Sequence, residues 1–295
     1  MKITRAIALL LIAVVVAAVL VTACAADDEA NQARLVYVNW EEGIAWTHLA
    51  QAILEDEMGY DVTITAADVG PAFSSVASGD YDAFMEAWLP GLHSNYIDQY
   101  GDDLETIGTI YEGGVTGLIV PQYMYDDGVT TLSDLTDPEV VERLNGQITG
   151  IDAGAGMMIT TGEEIFPAYG FAEAGLELVA SSDAAMMAAI DAAIRNEEYI
   201  VGMGWQPHSM FGYYDLQILE QDQEKFFDID DIELMGRIGL AEDKPELYEF
   251  LGNMYFTNDT IGELMVHINE SNLGTLAAAR EWKDQNPEVW ENWIP

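Results

Sequence analysis

The chain has 295 residues, is 50% hydrophobic, and carries 52 acidic against 10 basic residues for a formal charge of −42. Such a field repels phosphate backbones and anionic headgroups, which argues against nucleic acid as a partner and favours small ligands with a cationic end. The length suits one large domain or two lobes of ordinary size. The acids are spread through segments that keep their apolar periodicity, so disorder is the weaker reading.

In chain order, the first signal is basic Lys2 and Arg5 followed by the apolar run "AIALLLIAVVVAAVLVTAC". About 20 apolar residues are enough to span a bilayer. The ending "VTAC" nevertheless resembles a bacterial lipobox, with Cys24, the sole cysteine, as the lipidated first residue after cleavage. Residues 1–24 are therefore read as a lipoprotein signal peptide and left out of fold reasoning. This places the remainder on the extracytoplasmic face of the bacterial cell membrane, held by a lipid anchor. A lone cysteine allows no internal disulfide. Residues 25–34 form a flexible, polar tether.

"RLVYVNW" (34–40) is β-rich, and "EEGIAWTHLAQAILEDEMGY" places Ile44, Leu49, Ile53 and Leu54 near helical spacing, with Gly59 as a stop. With the strand "DVTITAA" this makes a βαβ unit with a parallel pair. A helix closed by Gly79 and the strand "YDAFMEAW" follow, then the apolar strand "TGLIVPQYM" with Pro121 near its end. "TTLSDL" reads as a helix start. "GQITGIDAGAGMMITTGEEIF" is a strand, a Gly-rich turn and a helix, and "ELVASSDAAMMAAIDAAIRNEE" a strand, a cap and a strong helix. "YIVGMGW" is again a strand, and from residue 237 the pattern is mostly helical. Alternating strands and helices imply an α/β fold. Two such blocks with a helical return suit two lobes: 35–118 plus 206–295, and 119–205. The crossings are expected near 116–122 and 201–207.

The four histidines, 48, 93, 208 and 267, are far apart and lack metal-ligand spacing. No G-x-S-x-G elbow or phosphate-binding loop occurs. "GAGMM" (154–158) could present a helix N-terminus to an anion, but a plain tight turn is the more economical reading. The pairs Glu41/Glu42 and Glu163/Glu164 read as solvated faces among so many acids. No catalytic constellation, metal site or cofactor motif emerges, so the chain is not read as an enzyme.

Three tryptophans stand in matching contexts: Trp40 in "VNWEEG", Trp88 in "EAWLPG" and Trp205 in "GWQPH". Each closes an expected strand ahead of a Gly or Pro turn, and ligands of open α/β sheets bind outside the carboxyl ends of strands. A shared cleft explains three such positions better than core packing does. Trp46, Trp282, Trp290 and Trp293 read as packing. Rings converging on one point attract a quaternary ammonium at roughly 0.5–2 kcal/mol each. A free carboxylate in the cage would bind potassium or sodium equally.

The ordered set "VYVNWEEGIA", "GDYDAFMEAWLPG", "TGLIVPQYM", "GIDAGAGMM", "GWQPHSMF" and "FTNDTIGELM" resembles the glycine betaine/proline betaine/choline class of substrate-binding proteins of ABC importers, over most of residues 35–270. The resemblance implies a two-lobed venus-flytrap fold of type II with the ligand between lobes. The protein would be a monomer delivering a compatible solute, glycine betaine first, to a permease and ATPase for osmoprotection. It implies Trp88 and Trp205 as box walls, Trp40 as a third, and the backbone of Gly43 and Ile44 as a carboxylate clamp. Phe256 stands where some members have Trp, as a weaker wall or as core. His208 either donates to the carboxylate or caps the turn after Pro207. Choline-preferring relatives often use an acid near the first Trp, a role Glu41 or Glu42 would fit. Choline and carnitine therefore stay open, as do a sensor and an extracellular enzyme using the same cleft.

The acidic surface reads as adaptation to brine, where salt screens the repulsion. Unfolding measured across a salt series should then show stability rising toward molar salt; equal stability in dilute buffer would contradict this.

Overall fold

The computed structural model describes residues 31–295; Cys24, the signal segment and all of the tether before Asn31 lie outside the described residues. Strand β1 (Gln32–Tyr37), helix α1 (Glu41–Asp56) and strand β2 (Asp61–Ala66) form the expected βαβ unit, with β1 and β2 parallel and Leu35 opposite Ile64. Along α1, Trp46, Leu49, Ala50, Ile53 and Leu54 recur at three- and four-residue spacing and are buried, as an amphipathic helix on a sheet requires. Glu41 and Glu42 occupy its first turn, where negative charge suits the helix dipole. Helix α2 (Val69–Ala77) leads into β3 (Ala83–Leu89), parallel to β1, and α3 (Ser94–Tyr100) follows.

Strand β4 (Leu104–Pro121) spans 18 residues and organises the rest. Its first part pairs antiparallel with β9 (Asp230–Arg237) as far as Gly114 and Asp230. From Val115 onward it pairs with β7 (Gly202–Gln206), and further along with β8 (Leu216–Ile218). The seven strands run β2-β1-β3-β9-β4-β7, with β8 also on β4. A separate parallel pair, β5 (Gln147–Thr149) and β6 (Glu177–Val179), lies near helix α4 (Gly156–Thr160), which continues helically to Tyr169, and α5 (Asp183–Asn196). Ser182 caps α5 by accepting from the Ala185 N–H at 3.2 Å. Helices α6 (Pro245–Asn253), α7 (Asn258–Glu270) and α8 (Thr275–Gln285) complete the expected helical end.

This is the two-lobed α/β architecture expected from the alternation. Three details differ from the sequence reading. Strand β4 starts at Leu104, twelve residues before the expected strand at Thr116. Strand β9 was not expected at all, because "DDIELMGR" hides alternating buried positions, Ile232 and Leu234, among acids. At the expected crossing near 201–207 the chain forms β7 and then β8 on the same half of β4, and pairs with the other half only from Asp230. Among the described residues no helix is long and apolar enough to cross a membrane.

A fully buried carboxylate, Asp82, ties the N-terminal strands to the C-terminal part. It accepts from the Arg34 amide at 2.9 Å, Lys244 Nζ at 2.8 Å and Arg237 Nε at 3.1 Å. Burial alone would raise its pKa; the Lys244 ammonium, the Arg34 N–H and the Arg237 guanidinium together hold it below the usual value. Stability from this depressed pKa is complete above the unfolded value of about 3.9 and is lost as pH falls through the folded one. Asp82→Asn should cost about 3–5 kcal/mol in urea unfolding at neutral pH, because Lys244 is left buried without a counter-charge. A loss under 1 kcal/mol would contradict the assignment.

Candidate functional site

A small, largely apolar cavity is lined by Trp40, Trp88 and Trp205 together with His93, Thr116, Leu92, Ile151 and the segment Ala155–Met157. The three strand-exit tryptophans thus reach one place. Trp40 is the residue before α1, Trp88 sits on β3 opposite Ile232, and Trp205 sits on β7 opposite Thr116. The Trp40 and Trp205 ring centres are 6.2 Å apart with planes at 54°, and Trp40 stacks on His93 at 6.2 Å and 26°. Trp88 and Trp205 each stand two residues before a cis proline, Pro90 and Pro207. Gly114 makes room for the Trp88 ring: a Cβ there would lie 2.5 Å from Cζ3.

His93 is the polar group that the sequence reading missed. Burial holds its pKa down at about 3, so the ring is neutral. Nδ1 accepts from the Trp88 amide at 3.0 Å, which puts the proton on Nε2, and Nε2 is buried without a partner. Asp230 fixes the turn that carries it, accepting from the Gly91 and Leu92 amides at 2.6 and 2.9 Å. Across the cavity, Tyr96 donates to the Gly154 carbonyl at 2.8 Å. Gly156 approaches Leu92 so closely that a Cβ would collide with the Leu92 carbonyl oxygen. "GAGMM" is therefore a cavity wall at the start of α4, and the amides of Gly156 and Met157 belong to a first helical turn, which has no intrahelical acceptors. The available signal was that His93 follows Trp88 by five residues in one turn, and that Gly156 opens a helix.

The other expected site residues lie outside the cavity lining. Gly43 backs onto the Glu86 carboxyl, and the Ile44 N–H donates to the Trp40 carbonyl at 2.9 Å. Phe256 is fully buried between Trp46 and Trp293, at 6.3 and 5.2 Å. His208 stands edge-on to Trp205 at 4.7 Å but pairs with Glu41 at 3.0 Å and Asp183 at 3.2 Å. Burial would lower its pKa, but hydrogen bonds and charge from Asp183 and Glu41 push it up to about 10. Glu41 falls to about 2: burial opposes this, and His208 and Ser209 outweigh it. The Ser209 amide and hydroxyl also donate to Glu41, at 2.7 and 2.6 Å, and Asn269 adds a further bond.

Two indole edges are anchored away from the cavity. Trp40 Nε1 donates to Asp152 at 3.2 Å, and Trp205 Nε1 donates to Glu42 at 2.8 Å. Neither Glu41 nor Glu42 lines the cavity. Among the described residues no group of three or more His, Cys, Asp or Glu could hold a metal ion.

Comparison with known proteins bears on this arrangement. Residues 32–285 match the family described as the substrate binding domain of ABC-type glycine betaine transport systems. Over 152 residues the chain is 36% identical to the glycine betaine/carnitine transport binding protein GbuC of Listeria monocytogenes, covering 52% of this chain and 50% of that protein. The chain thus spans about half the length of that relative. Lactococcal OpuAC, solved closed and in complex with glycine betaine, is 31% identical with a TM-score of 0.81, covering 90% of this chain and 100% of that one. The glycine betaine/L-proline-binding protein ProX of Borrelia burgdorferi is 28% identical with a TM-score of 0.83, covering 90% and 97%. With most of its length matched, the chain belongs to the family of substrate-binding domains of ABC-type glycine betaine transport systems.

Proposed function

We propose that the protein is an extracytoplasmic receptor that binds glycine betaine and hands it, without turnover, to an ABC permease and its ATPase. The trimethylammonium end lies among Trp40, Trp88 and Trp205, and the carboxylate meets His93 Nε2–H and the amides of Gly156 and Met157. The observation that carries this reading is one cavity with three indoles and a buried, unpartnered N–H donor. A methylated nitrogen donates no hydrogen bonds, so rings suit it. Three faces at roughly 0.5–2 kcal/mol each supply part of the roughly 8 kcal/mol that micromolar affinity requires.

Glycine betaine is favoured over choline because the acids near Trp40 are engaged elsewhere, Glu41 with His208 and Glu42 with Trp205. The binding of glycine betaine by the lactococcal relative supports the same choice. We place the lobe boundaries where β4 changes partners, giving 32–114 plus 230–295 against 115–229. Closure around the ligand would then move these two parts about β4 and the 219–229 segment. The lipobox reading of Cys24 would hold the receptor at the membrane, beside its permease.

Calorimetry with glycine betaine, proline betaine, choline and carnitine tests the reading. Glycine betaine should bind, and Trp88→Ala or Trp205→Ala should weaken it at least tenfold. His93→Ala should weaken glycine betaine but leave choline, which has no carboxylate, within about twofold. No binding of any of the four would overturn the proposal.

A further inference from the structure

Glu42 and Glu86 have no role in the site as described, although both side chains are fully buried. Glu42 lies two residues after Trp40, in the first turn of α1, and Glu86 two residues before Trp88, on β3. The Glu42 carboxylate accepts the Trp205 indole N–H at 2.8 Å. Gly43 lets the Glu86 carboxyl press against the α1 backbone, since a Cβ at Gly43 would collide with Glu86 Oε2. Glu42 Oε2 and both Glu86 oxygens are buried without a hydrogen-bond partner, and each carboxyl feels the other. One pair of acids therefore adjoins the segments that carry all three tryptophans, behind the rings.

Two neighbouring carboxyls away from water cannot both be ionised, and a proton held between them satisfies oxygens that otherwise have no partner. We propose that Glu42 and Glu86 share one proton and act as a buried monoanion behind the tryptophan cage, selecting ligands whose caged end is cationic. The proposal rests on the reading of the cavity as a quaternary ammonium site. Glu42 is the positioning residue: it holds the Trp205 ring by its edge and carries the negative charge. Since neither acid lines the cavity, sodium and potassium cannot reach the charge to coordinate it. Only a cation that is itself satisfied by aromatic faces gains from it, through the rings.

The charged groups around the pair leave it as the element that titrates. His208 acts on Glu42 and is held positive up to about pH 10 by Asp183 and Glu41. Glu41 stays ionised down to about pH 2, and His93 stays neutral above about pH 3. Asp183 faces Glu86 and repels its ionised form. Burial pushes both carboxyls of the pair up, and mutual repulsion raises Glu86 further. The pair therefore takes up its second proton above the ordinary carboxylate range. Lowering the pH from neutrality toward 5 discharges it, so affinity for a cationic group must fall in that direction.

The test compares glycine betaine with 3,3-dimethylbutanoate, the same shape with an uncharged carbon in place of nitrogen, by calorimetry on the full chain between pH 5 and 8. In the wild type the preference for glycine betaine should grow with pH. Glu42→Gln keeps an oxygen acceptor for the Trp205 N–H but removes the charge. It should lower the preference about tenfold at pH 8 and flatten its pH profile. Glu86→Gln removes the shared proton and should extend the preference to lower pH. If Glu42→Gln does not fold, the Glu86→Gln profile decides alone. An unchanged preference and profile in the variants, or equal loss of both ligands in Glu42→Gln, overturns the proposal. A wild type that binds neither ligand would overturn the cavity reading itself, and this one with it.

Discussion

The hydrogen bond from the Trp205 indole N–H to Glu42, 2.8 Å long, joins the strand paired with the second half of β4 to the helix that follows β1. Its strength comes from burial: in a low-dielectric interior a hydrogen bond is electrostatically stronger than in water. Its geometry matters more than its energy. An indole fixed by its polar edge presents its face in one orientation, and the Trp40 bond to Asp152 does the same for the facing ring. Around these bonds stand the His208 pairs with Glu41 and Asp183, which bring the same segments together without entering the cavity.

The cavity contrasts with the rest of the molecule. The chain carries 52 acidic residues, yet among the described residues no acid lines the space between the three tryptophans. A carboxylate there would hold an alkali cation as readily as an organic one, whereas indole faces discriminate by the diffuse charge and greasy methyl surface of the ligand. The polar lining residues are His93 and Thr116, whose Nε2–H and hydroxyl are buried without partners, beside the first turn of α4. Such a set complements a zwitterion whose cationic end is apolar in outline and whose anionic end is small.

Legibility in the sequence followed the range of the interactions. Trp40, Trp88 and Trp205 were readable because strand ends and the Gly or Pro turns after them are local signals. The βαβ opening and the C-terminal helices were readable from periodicity. Phe256 was not, because what decides its place is Trp46 and Trp293, 210 and 37 residues away in the chain, packed tilted and edge-on against it in the core. His208 pointed to the right region, but its partners Glu41 and Asp183 come from two other elements. His93 and the Gly156 turn become a wall only when both turns meet, a contact no spacing rule encodes. Strand β9 was hidden because its buried positions alternate with acids facing out.

The most direct measurement of the central claim is a crystal structure of the full chain grown with glycine betaine. The account predicts ligand density among Trp40, Trp88 and Trp205, with the carboxylate within hydrogen-bond distance of His93 Nε2 and the amides of Gly156 and Met157. Density for the ligand elsewhere, or a carboxylate turned toward Gly43 and Ile44 with His93 unengaged, would contradict it.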